Sequence, residues 1–316
     1  MARVPALRRG LALLSFVALL ATSAALAAPA LSAPTIAGCP VFPADNAWNR
    51  RVDRLAVTRN SATLIRSIGL ESHFHADFGS GLWDGGPIGI PFTVVDSGQR
   101  RVPIGFDYAD ESDRGPYPVP ADAPIEGGRN ADGDRHVLVL DRSACKLYEL
   151  YDAHPLDAGR SWHAGSGATW DLRSNRLRPK TWTSADAAGL PIFPGLARYD
   201  EVAAGAISHA LRFTAPRTRT SFIWPARHQA GSSSDPSLPP MGLRVRLKRG
   251  VSLRGLPRQA KVLGRAMKRY GLMLADNGSP WYVSGAPDPR WDNDQLHALD
   301  RLSGRDFEVV TVRPRG

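Results

Sequence analysis

Apolar positions along this chain come in short runs, broken throughout by 30 glycines and 26 prolines. Eight of the runs have the length and the β-branched or aromatic content of strands: Phe92–Asp96, His136–Leu140, Leu147–Tyr151, Ala210–Thr214, Ser221–Trp224, Leu243–Leu247, Trp281–Val283 and Phe307–Val312. Leu243 to Leu247 (LRVRL) alternates strictly, which predicts one buried and one wet face. His136 to Leu140 (HVLVL) is apolar at every position after the histidine, as expected of a central strand covered on both sides.

Helical periodicity is rarer. Over Gln259–Leu272, Val262, Leu263, Ala266, Met267 and Tyr270 share one face while Lys261, Arg265, Lys268 and Arg269 take the other. Ser61–Ile68 forms a shorter helix, with Asn60 as its cap and Gly69 as its stop. Gln295–Leu302 comes after the cap-like Asp292-Asn293-Asp294 and stops at Gly304. With strands in the majority and no repeating βαβ unit, the expected fold is mainly β. The expectation is a single sandwich or jelly-roll-like domain over residues 28–316, with two or three packed helices.

Residues 1–27 stand apart. Arg3, Arg8 and Arg9 precede an apolar run from Leu11 to Leu20, and Ala25-Leu26-Ala27 fits a peptidase site. This is the layout of a cleavable signal peptide. The run is shorter than the ~18 apolar residues of a membrane span, so the expected location is secreted or periplasmic, and not membrane-spanning. Ile36-Ala37-Gly38-Cys39 has the look of a lipobox, but it lies far beyond the apolar run and after the A-x-A site. Lipidation is therefore the lesser reading.

Export changes how the cysteines are read. The two present, Cys39 and Cys145, predict a disulfide in an oxidising compartment. It also changes how charge is read. The formal charge is +10, and the three leader arginines account for part of it. Dispersed basic residues without interleaved aromatics do not suggest nucleic acid. They suit an anionic envelope surface or simply solubility. A monomer is expected.

Candidate chemistry gathers in a few places. His73, His75 and Asp77 alternate, so on a strand they would face one way. With His136 they form a candidate divalent-metal set, and His75 with Asp77 is also a candidate acid–base pair. Asp110 and Glu111 belong to an acidic run that could supply paired carboxylates for glycosidic cleavage. Asp186, His209 and His228 stand near strand ends, where β-folds display polar groups. Trp83, Trp162, Trp170, Trp182, Trp281 and Trp291 all adjoin small or polar residues. Their rings suit sugar faces, with core packing as the competing reading.

Several segments together carry a resemblance: CPVFPADNAWN (39–49), HADFG (75–79), GDRHVLVLD (133–141), WTSADAAGLPI (182–192), IWPARH (223–228) and ADNGSPWYVSGAPDPRWD (275–292). They resemble a family of exported bacterial proteins of uncharacterised function. The resemblance implies one coherent extracellular domain and brings no catalytic residue or substrate. The functional expectation rests on the residues themselves. The chain acts on or binds an extracellular glycan or other envelope polymer, as a glycoside hydrolase using paired carboxylates. The alternatives are a metal-dependent hydrolase centred on the His/Asp cluster and a non-catalytic glycan-binding envelope protein.

Overall fold

In the computed structural model, which describes residues 1, 2 and 33–314, the strand HVLVL is the spine of the smaller of two main sheets. The expected signal peptide lies, but for its first two residues, outside the described residues. We label the strands β1 His75–Asp77, β2 Phe92–Val95, β3 Ile104–Phe106, β4 Val137–Asp141, β5 Lys146–Tyr151, β6 His154–Leu156, β7 Ser161–Ala164, β8 Ser166–Asp171, β9 Leu211–Ala215, β10 Arg244–Leu247, β11 Leu272–Asn277, β12 Tyr282–Ser284 and β13 Phe307–Val310. The α-helices are α1 Ser61–Gly69, α2 Tyr199–Ala203, α3 Arg258–Arg269 and α4 Asn293–His297. Strand residues outnumber helical ones, so the fold is mainly β.

One sheet has four strands in the order β8-β5-β4-β2, and the other has six in the order β13-β10-β11-β9-β12-β1. A small three-stranded sheet, β6-β7-β3, stands beside them. Parallel pairs (β2 with β4, β9 with β11, β12 with β1) are mixed with antiparallel ones.

Continuous apolarity in β4 has a direct cause. Leu138 and Leu140 join the large core that also holds Leu211, Phe213, Val245 and Leu274 of the six-stranded sheet. Val137 and Val139 join a second, smaller core with Tyr117, Val119, Trp162 and Leu150. The strand is thus buried on both faces.

The helices keep to their periodicity with shifted ends. In α3 the residues Val262, Leu263, Ala266 and Met267 are buried. The helix stops before the expected Leu272 because Gly271 adopts φ +74°, and a Cβ there would meet Val245 O at 2.2 Å. Leu272 instead opens β11. Asp292 caps α4 through its side chain to Gln295 N, whereas Asn60 makes no side-chain cap on α1. Two strand expectations change. Ser221–Trp224 makes only an isolated bridge, Phe222 to Met241, because the Ala226 N–Ile223 O turn curls the chain away. In β10 the wet face is absent at Arg244, which is buried. It donates to the Tyr270 and Ala47 carbonyls at 2.8 and 2.5 Å.

Cys39 and Cys145 form a disulfide with Cα atoms 5.4 Å apart. It ties the N-terminal segment to the turn between β4 and β5 and leaves Cys39 no free thiol for a lipid.

Candidate active-site cleft

Four strands of the six-stranded sheet bring polar side chains to one face. Asp77 of β1 is in register with Ser284 of β12. The antiparallel pairing of Phe213 with Val283 sets Ser284 beside Arg212 of β9. On β11 the register with β9 slips, so that Leu274 pairs with Phe213 but Asp276 pairs with Thr214. Ala275 is the extra residue of a β-bulge, and such a bulge re-aims the side chains beyond it. Without it, Asp276 would point to the opposite face. With it, the Asp276 carboxylate shares a face with Arg212.

Arg212 is the hub. Its Nε and Nη2 donate to both oxygens of Asp186 at 2.8 and 2.9 Å. Nη2 also reaches Asp276 Oδ2 at 3.1 Å, and Nη1 donates to Ser284 Oγ at 2.6 Å. Burial works against the charge on this guanidinium, but Asp186 outweighs it and holds Arg212 protonated. Asp186 is fully buried and spends its carboxylate on that bidentate pair. Asp186, expected from the sequence as a catalytic acid or base, thus has both carboxylate oxygens on Arg212 and anchors it.

Asp276 differs from Asp186 in being 20% exposed. Burial and the neighbouring Asp186 charge push its pKa up to about 7, against the pull of Arg212. One guanidinium cannot balance two carboxylates, so the more accessible one holds its proton up to about neutral pH, where it begins to ionise.

Asp276 lines a cleft of about 380 Å³ with Tyr108, Glu111, Asp134, Tyr151 and His228. The hydroxyl residues Ser166, Thr183 and Ser184 complete it. Asp134 precedes β4, Tyr151 ends β5 and Ser166 begins β8, so the cleft opens at one end of the four-stranded sheet. Glu111 Oε2 accepts from Thr183 N at 2.8 Å. His228 Nδ1 lies 2.9 Å from Ala187 O. A carbonyl only accepts, so Nδ1 carries a hydrogen and donates it there.

Behind this wall, His136 is buried between Glu126, 2.5 Å from Nδ1, and Ala185 O, 2.9 Å from Nε2. Burial opposes its charge, but Glu126 prevails and raises its pKa to about 9. Both ring nitrogens therefore donate, and neither is left to bind a metal. On the same face Glu149 has no exposure and accepts from Ile192 N and Phe193 N. Burial still lifts its pKa to about 7.

The residues expected from sequence thus separate. Glu111 and His228 reach the cleft. Asp110 lies beside Glu111 in the exposed 3₁₀ turn Ala109–Glu111. His209 is fully buried, held by Ala210 O and by Glu201 with Arg198, so its role is structural. His75 and Asp77 share a face as expected, 4.0 Å apart, and His75 packs on Tyr282. The Asp77 side chain is 56% exposed and lies within electrostatic reach of His75, Glu126 and Arg212, which puts it at the edge of the same network. His73 lies outside β1, with Nδ1 on Asp300 O. The set His73, His75, Asp77 and His136 does not converge. Among the described residues no group of three or more His, Cys, Asp or Glu is arranged to hold a metal ion.

Of the tryptophans, Trp162, Trp170, Trp281 and Trp291 are core residues, while Trp83 is 79% exposed and Trp182 half-buried. The residues that sequence reasoning missed are Asp276, Asp134, Tyr108, Tyr151 and Arg212. No family model, curated protein or solved structure matches this chain.

Proposed function

We propose that this is an exported, sandwich-like enzyme that hydrolyses glycosidic bonds in a polysaccharide, with Asp276 as the proton donor. The observation that carries this reading is a carboxyl group at the wall of an open cleft, raised to about 7 by burial and by the Asp186 charge beside it, with the one guanidinium that opposes the shift already paired to Asp186. Glycosidic cleavage needs one carboxyl kept protonated and a second of unlike environment. Asp134 is exposed and its charge helps keep the proton on Asp276, which suits the second role. Asp276 gives its proton to the leaving oxygen, and Asp134 draws one from the attacking water. Tyr108 is 56% exposed, and with Tyr151 it offers ring faces to the apolar side of a sugar. Three carboxyl residues in the wall disfavour an anionic sugar at the point of cleavage. The Cys39–Cys145 disulfide is compatible with work outside the cytoplasm.

The test is Asp276→Asn against a panel of neutral and anionic polysaccharides, scored for product release. The variant should keep its thermal midpoint and lose turnover by about 10²-fold or more, the usual contribution of a positioned acid. Wild-type activity should fall as pH rises above about 7, because the donor must be protonated. Full activity in Asp276→Asn, or no product from any polymer with wild type, would overturn the proposal.

A further inference from the structure

Immediately beyond the cleft wall lies a larger groove of about 600 Å³, lined by Asp113, Lys146, Arg176, Arg178, Trp170 and Trp182 among others. The wall between the two hollows is a single built unit. Arg178 is buried, stacked 5.7 Å from Trp170 and 5.5 Å from Trp182. Its guanidinium donates to Asp113 at 2.5 Å, to Glu111 O at 2.7 Å and to Thr183 O at 2.7 Å. Glu111 and Thr183 line the cleft, so the residues that shape one hollow hold the other. The wall is also tied to His228: Arg227 Nε donates to Arg178 O at 2.9 Å, and Thr181 N to Arg227 O at 2.7 Å. Gly189 adopts φ +65° beneath it, where a Cβ would meet Trp182 O at 2.5 Å. A third hollow of about 210 Å³ continues from the groove through the shared Trp170, Arg176 and Leu177 to the half-buried Trp224.

We infer that this groove is a distal subsite for the same polysaccharide chain, with Trp182 as its stacking platform. The inference rests on the glycosidase reading of the cleft. Three features point to a glycan chain as the occupant. The groove lies across one hydrogen-bonded wall from the cleft, with Trp182 lining the groove and its chain neighbour Thr183 lining the cleft. It offers an aromatic ring that is half-buried and pinned by the guanidinium of Arg178, which preorganises it at little entropic cost. It surrounds that ring with polar and charged side chains able to hydrogen-bond hydroxyls. A substrate that fills cleft and groove at once spans several sugars, so the enzyme cleaves within chains and favours long ones.

The experiment measures dissociation constants of oligosaccharides, from dimers to octamers of whichever polymer wild type cleaves, for Asp276→Asn and for Asp276→Asn/Trp182→Ala. Affinity for Asp276→Asn should tighten with chain length and then level off. The double variant should lose that length-dependent gain, about tenfold for the longer chains, as expected for one lost stacking contact. Asp276→Asn/Trp182→Phe, which keeps a ring, should recover most of it and control for misfolding. A length dependence that survives Trp182→Ala would overturn the subsite while leaving the cleft reading intact. Failure of wild type to cleave or bind any polymer would overturn both.

Discussion

Arg212→Met tests the hub on which the cleft depends. The substitution keeps the aliphatic stem and removes the guanidinium. Asp186, with no side-chain exposure, then faces the interior with neither of its two charge-assisted bonds. Breaking a buried pair from one side costs about 3–5 kcal/mol, chiefly because the partner charge is left uncompensated. Asp276 adds little to this loss, since it is 20% exposed and can turn to water. At about 2–4 °C per kcal/mol for a domain of this size, the thermal midpoint should drop by roughly 6–20 °C. Arg212→Met/Asp186→Leu removes the orphaned carboxylate as well. Apolar replacement of a whole buried pair is often neutral, so the double variant should regain most of the loss, with a coupling of about 2–3 kcal/mol. Urea unfolding at pH 7 of wild type, both singles and the double closes the cycle. A loss under about 1 kcal/mol in Arg212→Met, within the range of exposed pairs, would refute the reasoning. So would a double variant no more stable than the Arg212 single.

Glu149→Gln should flatten the pH dependence of stability. The folded-state pKa of Glu149 is raised to about 7, so its contribution is fully present below the unfolded value near ~4.3 and lost as pH rises through about 7. Wild type should therefore lose about 3 kcal/mol from this group between about pH 4.5 and pH 8, at 1.36 kcal/mol per unit. Denaturant unfolding at both pH values should find that difference absent from the variant, and an unchanged slope would count against it. Thiol labelling of denatured, unreduced protein should find no free cysteine, and two labelled cysteines would exclude the bond. With the cysteines 106 positions apart, reduction should cost about 4–5 kcal/mol in the chain-entropy model.

The features legible in the sequence were local and periodic. HVLVL announced a doubly covered strand, the apolar face of α3 was readable residue by residue, and Asp292 signalled its cap. The polar site was harder to read, because long-range register decides it. Leu272–Asn277 comes after α3 with little more than a glycine turn between, and nothing in LMLADN marks the bulge that turns Asp276 toward Arg212. Asp186 was readable only as a polar residue near a strand end, and its role as an anchor was hidden because its partner lies 26 residues away on another element. His209 and His228 carried the same signal, a histidine beside a strand. One is enclosed by Glu201 and Arg198 while the other reaches the cleft, and only tertiary packing separates them. The loop tryptophans were ambiguous for the same reason: a ring beside glycine or proline fits a core corner as well as a sugar.

The double-faced burial of β4 has a consequence for how the molecule comes apart. Val137 and Val139 belong to the smaller core, Leu138 and Leu140 to the larger, and β5 divides in the same way, with Leu147 on one side and Tyr148 and Leu150 on the other. A strand cannot leave one core and remain seated in the other. The smaller core has no means of melting alone, so the two should unfold in one cooperative transition rather than as separate units. The amide hydrogens of β4, paired to β2 on one edge and β5 on the other, should then exchange with solvent only through global opening.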